Sequence, residues 1–431
     1  MLRRGSVETL GCMTKNYDVI VIGARCAGSP TAMLLARKGY RVLLVDKATF
    51  PSDTLSTHFI HAPGMAALAR WGLADSIAEL NCPAVTTYRF DFGVFTIAGT
   101  PRPADGVGIA YAPRRTVLDK ILVDAAAAAG VEVRQGCDVD EIVIEDGAVV
   151  GIRTNGTVER ASVVVGADGR RSAVAKATRP EQYNEKPNLA AVYYAYWSGV
   201  PSTEFEVFVR DRRGWGAFPT NDGLTLVVAG WPEDEFKANR SDIEGNYLKA
   251  FEQAPDFAAR IRAGNRETQF RGAGDLAGFF RKPFGPGWAL VGDAGYHKHP
   301  ITAMGITDAF LDAERLVNAL DAALSGGESY GEAMALYQKE RDEQALPMYE
   351  MTSQFASLEA PPAEMQQLLA AVSRSQVSMD QFASIQAGTM PIPDFFDPEN
   401  VSTIFQGHGR DASHAPRSRP ARRPGGAHDV G

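Results

Sequence analysis

The chain has 431 residues, 45% of them hydrophobic and 22% charged, the proportions of an ordinary globular protein. At roughly 150 residues per domain, that length makes two or three domains and excludes a small binding module. The 52 Asp and Glu against 44 Lys and Arg leave a net charge of −8, the opposite of a nucleic-acid footprint, so no nucleic-acid partner is expected.

Cys12, Cys26, Cys82 and Cys137 show no C-x-x-C spacing, which points to neither a zinc site nor a disulfide framework. No metal is expected. No apolar run is long enough to span a membrane, and Met1-Leu2-Arg3-Arg4 leads into polar residues rather than the apolar core of a signal peptide. The expectation is a cytoplasmic protein without a membrane span, with residues 1–13 as a flexible extension.

Tyr17 to Ile22 is a short β-branched apolar run, the pattern of a strand buried on both faces. After Gly23 the period changes: Ala32, Leu35 and Ala36 fall at helical spacing, and Gly39 suits a helix C-terminus. Arg41 to Val45 reads as a second buried strand ending at Asp46, which completes a βαβ unit. Helices are predicted over Pro63 to Trp71 and Val117 to Ala129, with short strands at 131–133, 141–144, 150–153 and 161–165. Leu189 to Trp197, Phe205 to Val209 and Leu224 to Ala229 suggest a separate antiparallel sheet. Trp288 to Val291 returns to the buried-strand pattern, and Ile306 to Leu320 is a long amphipathic helix. Helical patterns recur over Tyr330 to Glu343 and Pro362 to Val372.

Between the first strand and helix stands Gly23-Ala24-Arg25-Cys26-Ala27-Gly28. In a G-x-G-x-x-G turn the glycines permit a tight bend, close backbone approach to a diphosphate and helix–strand packing. Here the middle glycine is Arg25, whose side chain must either swing away from the phosphates or fold over them. A carboxylate at Asp46 suits a free ribose hydroxyl, which favours the adenosine of FAD or NAD over NADP at this turn.

Further along come Arg115 with Leu118, Asp119 and Leu122, then Gly166-Ala167-Asp168-Gly169-Arg170-Arg171-Ser172-Ala173-Val174, and Gly292-Asp293-Ala294-Gly295-Tyr296-His297-Lys298-His299-Pro300. With the glycine turn, these segments resemble, in order, the flavoprotein family of p-hydroxybenzoate hydroxylase and geranylgeranyl reductase. The resemblance implies an α/β fold: a discontinuous Rossmann-like FAD-binding domain of the glutathione-reductase type over 14–85, 106–180 and 282–345. An inserted antiparallel substrate sheet takes 86–105 and 181–281, a helical region 346–407 and a disordered tail 408–431. It also implies FAD contacts from the glycine turn, Asp46, Lys47, Arg115, Val139, Asp168, Gly292, Asp293, Gly305 and Ile306, with NADPH or NADH as transient reductant. A helix starting near Gly305-Ile306 would aim its amides at the pyrimidine end of the flavin, where a helix dipole stabilises the anionic reduced ring.

There are departures from the family's pattern. Ala175 stands where the family has arginine, and the family's P-x-x-G-x-G loop reads Pro300-Ile301-Thr302-Ala303-Met304-Gly305. The halogenase W-x-W-x-I-P motif reads Gly214-Trp215-Gly216-Ala217-Phe218-Pro219, and no lysine lies between Phe50 and Trp71. Halogenation is therefore not expected. His58, His297 and His299 are candidates to hydrogen-bond flavin or substrate, with a structural role as the alternative, and Pro300 and Thr302 would border the ring. Trp215, Phe218, Tyr193, Tyr194 and Tyr196 are expected partly in a pocket and partly in the core.

The leading expectation is a monooxygenase using NAD(P)H and O2 on an aromatic or unsaturated small molecule through a flavin C4a-hydroperoxide. Two alternatives stay open: an ene reductase of the geranylgeranyl reductase type, and a flavin-binding redox protein without turnover. A monomer or a homodimer is compatible with the sequence.

Overall fold

The computed structural model describes residues 17–407. The expected extension over 1–13 and tail over 408–431 lie outside the described residues. In chain order the elements that frame the first layer are β1 (Tyr17–Ile22), α1 (Gly28–Arg37), β2 (Val42–Asp46), α2 (Arg115–Ala128), β3 (Glu132–Gln135), β4 (Thr157–Gly166) and β5 (Trp288–Leu290). The helices α3 (Gly305–Leu324) and α4 (Tyr330–Ala356) follow.

The five strands run parallel in the order β5-β4-β1-β2-β3, with Val19 opposite Val42 on one side of β1 and opposite Val163 on the other. Both faces of this sheet are covered, which is why Val19, Ile20 and Val21 are all fully buried and the strand reads as an unbroken apolar run. The order reverses at β1: β2 and β3 extend to one side, β4 and β5 to the other. The carboxyl ends of β1, β4 and β5 therefore flank a crevice, the place where open α/β sheets take ligands.

A second sheet has the strand order Asn265–Arg266, Ala190–Ser198, Thr225–Pro232, Arg213–Pro219, Phe205–Arg210, Tyr88–Asp91 and Thr96–Gly99. Alternation divides its side chains between two cores. Tyr194, Tyr196, Phe218 and Leu226 pack on the inner face with Phe382 and Phe395. Tyr193, Trp197, Trp215 and Trp231 pack on the outer face against Tyr247, Phe251 and Phe257, which belong to the helices Ile243–Phe251 and Pro255–Ala263. A three-stranded sheet, Gln182–Lys186, Gly278–Arg281 and Tyr296–His297, joins the two layers.

The helix expected to end near Glu343 continues as α4 through Pro347 to Ala356, across the anticipated boundary at 345/346. Proline removes one helical hydrogen bond, but Met348, Tyr349, Met351 and Thr352 are buried immediately after it, and that burial carries the helix onward. The helices Ala363–Val372 and Gln376–Gln386 then close against the second sheet, where the backbone N–H of Thr100 donates to Asp380 Oδ1 at 2.8 Å. Among the described residues no helix is long and apolar enough to cross a membrane.

Candidate active site

The glycine turn closes the carboxyl end of β1. Gly23 has φ +100°, and a Cβ there would lie 2.5 Å from the Ala167 carbonyl oxygen; one on Gly28 would lie 1.7 Å from that of Gly23. These glycines let β1, α1 and the end of β4 meet. No side chain caps α1; its Ser29 and Thr31 N–H groups donate to the Arg25 and Ala27 carbonyls at 3.0 and 3.3 Å and Pro30 has no N–H, so any amides left for an anion belong to the turn and the very start of the helix. Asp46 Oδ2 accepts from the Ala24 N–H at 2.7 Å and Oδ1 from the Ala48 N–H at 2.8 Å, which ties the turn to β2.

Arg25 swings away from the turn. Its Nη1 donates to Asp119 Oδ2 at 2.5 Å and Nη2 to Ser52 Oγ at 3.1 Å, and the guanidinium lies 5.3 Å from the centre of the Phe50 ring. Asp119 is fully buried on α2 and also accepts from Arg115 Nε at 2.9 Å and from Cys26 Sγ at 3.4 Å. Burial pushes the Cys26 thiol far above its ordinary pKa, so it stays protonated. Asp168 accepts from the Ala173 N–H at 2.6 Å through Oδ2, while its buried Oδ1 has no hydrogen-bond partner. Burial, outweighing its hydrogen bonds, raises the Asp168 carboxyl above its ordinary value.

At the other end of the site, His297 lies opposite Phe279 in the small sheet, and its Nδ1 donates to the Ala277 carbonyl at 3.0 Å. His299 Nδ1 accepts from the Ile301 N–H at 3.2 Å, so the proton of the neutral ring sits on Nε2. That Nε2 is buried beside the Ala190 carbonyl but outside hydrogen-bonding geometry. Burial pushes the His299 pKa down to about 4. Lys298 is buried, with its Nζ on Asp308 and on the Tyr296 hydroxyl, the latter at 2.8 Å. Thr302 Oγ1 lies 2.9 Å from Thr352 Oγ1. No side chain caps α3, and a Cβ on Gly305 would meet nothing within 4 Å.

These parts line one cavity of about 2120 Å³, larger than the roughly 300–1,000 Å³ of ordinary small-molecule sites. Gly23, Arg25, Cys26, Ala27, Asp46, Lys47, Arg115, Val139, Asp168, Gly292, Asp293, Gly305 and Ile306 stand on its wall, as do His297, His299, Pro300 and Thr302. Ala24 and Gly28 are interior to the turn, off that wall. His58, with φ +62°, also lies off it: fully buried, its Nε2 meets the Tyr196 hydroxyl and its ring stacks on Tyr196 at 5.6 Å. Burial, then the charges of Arg115, Arg114 and Arg271, push its pKa down to about 3. His61, which carries no motif in the sequence, instead reaches the loop at Thr302, with Nε2 at 3.2 Å from the Thr302 carbonyl.

The wall suits FAD. The glycine turn admits a diphosphate, Asp46 stands where a ribose hydroxyl is met, the unpartnered Asp168 oxygen can accept a hydrogen bond, and open space faces the uncapped amides of α3. Residues 16–352 match the family model described as FAD binding domain, and the chain belongs to that family. It is an FAD-dependent oxidoreductase.

Among relatives, the chain is 30% identical over 353 residues to the digeranylgeranylglycerophospholipid reductase of Methanosarcina mazei, covering 75% of this chain and 77% of the reductase. Its fold is similar to that of the myxobacterial chondrochloren halogenase CndH, with TM-score 0.73 and 21% identity over 91% of this chain and 96% of the halogenase. PqsL, a probable FAD-dependent monooxygenase from Pseudomonas aeruginosa, superposes with TM-score 0.69 at 20% identity over 87% of this chain and 100% of PqsL.

Proposed function

We propose that the protein is a monooxygenase that uses NAD(P)H and O2 to oxygenate an aromatic or unsaturated small molecule. The observation that carries this reading is the continuity of the cofactor wall with an apolar half built from Phe90, Phe205, Phe218, Leu226, Phe382 and Ile385. Bound FAD would supply the two-electron chemistry that makes O2 reactive toward an electron-rich carbon. The apolar half takes up a flat hydrocarbon surface and keeps water away from the reacting atoms. His299 lines the same cavity, and burial keeps its ring neutral there. Lys298 neutralises Asp308 in the first turn of α3, which leaves the positive end of that helix facing the cavity.

Two further points support oxygenation. No lysine lies between Phe50 and Trp71, a departure from the halogenase pattern set out in the sequence analysis. PqsL, similar in fold, has been solved with 2-aminobenzoylacetate, a flat aromatic molecule. A second reading, reduction of an alkene without oxygen, is favoured by the kinship with the Methanosarcina mazei reductase and by a cavity large enough for an extended chain.

The test is turnover with NADPH or NADH under labelled O2 over a panel of aromatic and isoprenoid substrates. Incorporation of one labelled oxygen atom into product is the expected outcome. Product formed equally well without oxygen would replace this reading with the reductase. Purified protein that will not bind FAD would overturn both.

A further inference from the structure

We propose that His61 is the positioning residue for the loop that faces the flavin, holding the Thr302 carbonyl and through it the approach to the α3 amides. The inference rests on the flavin lying against this loop. His61 precedes the helix Ala62–Arg70 and is fully buried, with Nε2 at 3.2 Å from the Thr302 carbonyl and Nδ1 at 2.8 Å from the Tyr88 hydroxyl. A carbonyl can only accept, so Nε2 carries the proton and Nδ1 accepts from Tyr88. The ring has one tautomer and one orientation that satisfy both partners.

The backbone of the same residue grips the other end of the loop, since the His61 N–H donates to Thr307 Oγ1 at 3.0 Å. Thr302 precedes the uncapped N-terminus of α3 and Thr307 lies in its first turn, so one residue clamps both flanks of the amides that open on the cavity. Between them, Ala303 is held at φ +54°, a left-handed conformation that an alanine keeps only when its surroundings over-determine it. Close approach reinforces the clamp: a Cβ on Gly64 would lie 2.9 Å from Thr307 Oγ1. Tyr88 belongs to the second sheet, and Phe59 and Phe205 pack on the imidazole at 4.7 and 5.7 Å, so the clamp also registers the substrate sheet against the loop. Burial pushes the His61 pKa down to about 3, which keeps the ring neutral and the tautomer constant across ordinary pH.

The test compares His61→Gln, His61→Asn and His61→Leu in the full chain, reading FAD dissociation constant, visible flavin spectrum, midpoint potential and melting temperature of the FAD-free protein. The Gln amide reaches where Nε2 stands and still donates to Thr302; the Asn amide reaches only Tyr88. The Asn and Leu variants are expected to bind FAD about tenfold more weakly, the scale of one lost buried hydrogen bond, with a shifted spectrum and potential. Gln should return the affinity to within about threefold of wild type and restore the spectrum, since it keeps the donation that matters. All three variants should melt earlier, so melting temperature alone separates nothing. Equal FAD affinity and potential in wild type and all variants would overturn the proposal, and so would a Gln variant as impaired as Leu, which would make His61 a packing residue. If none of the three folds, Thr307→Val takes their place, because it removes only the hydroxyl that the His61 N–H grips; an unchanged spectrum and potential there would overturn the proposal. Wild type that binds no FAD would refute the reading of the site itself, a result distinct from any of these.

Discussion

Asp119 offers the sharpest test of how the phosphate end of the site is built. Its carboxylate is fully buried between Arg25 and Arg115, and the Arg115 side chain is only 9% exposed. Asp119→Ala would leave the Arg115 guanidinium buried without its partner, and removing one member of a buried pair costs about 3–5 kcal/mol. Arg25→Ala differs, because the Arg25 side chain is 25% exposed and its loss leaves Asp119 still paired with Arg115. That change should cost about 1 kcal/mol, as for a partly screened pair. Urea unfolding of the FAD-free single and double variants, analysed as a double-mutant cycle, measures both numbers and their coupling. The reasoning fails if Asp119→Ala costs no more than Arg25→Ala. It also fails if Arg25→Ala leaves stability intact while weakening FAD binding by roughly 1–3 kcal/mol, since the guanidinium would then serve the diphosphate.

Gly28→Ala should abolish FAD binding, because the added carbon meets the Gly23 carbonyl oxygen at 1.7 Å and the turn must open; retained affinity in a titration would refute the packing described. Lys298→Met leaves Asp308 without its cation in the first turn of α3, bonded by the Tyr296 hydroxyl alone, and should lower the midpoint potential of bound flavin, which spectroelectrochemistry reads directly. Stability should fall on acidification. His58 and His61 are pushed down to about 3 and His299 to about 4, so on unfolding near pH 5 each takes up a proton. Asp312, raised to about 6 chiefly by burial, gives one up over the same range. For these four groups the net uptake is about two protons, a slope of about 2.7 kcal/mol per pH unit between pH 5 and 6 with stability rising toward neutrality. Asp312→Asn should steepen that slope, and denaturant midpoints across this range would show it.

The βαβ unit, the glycine turn and Asp46 were legible because their signals are local: a buried strand has a continuous apolar run, a turn that needs φ +100° needs glycine, and both sit within a few residues. Almost every residue that the motifs, in family order, lead one to expect at the cofactor lines one cavity wall. The tyrosine-rich run announced the second sheet, and period-two alternation set Tyr194 and Tyr196 on the face opposite Tyr193, but which face covers the cavity depended on the C-terminal helices. The helices Ile243–Phe251 and Pro255–Ala263 were not legible because each has nine residues, too short to hold alone, and draws its stability from packing on the outer face with Trp215 and Trp231.

Side-chain direction was decided by tertiary structure alone. The sequence left Arg25 two orientations, and Asp119, on a helix 94 residues away, selects one by accepting from the guanidinium. His58 stood in a suggestive segment, yet the fold turns its ring onto Tyr196 and away from the cavity, while His61 stood in none and reaches Thr302 across 241 residues. Local propensity and motif spacing determined which chemistry this chain can hold. The pairing of distant polar groups, most of which find a partner once buried, decided which way the side chains around the cavity turn.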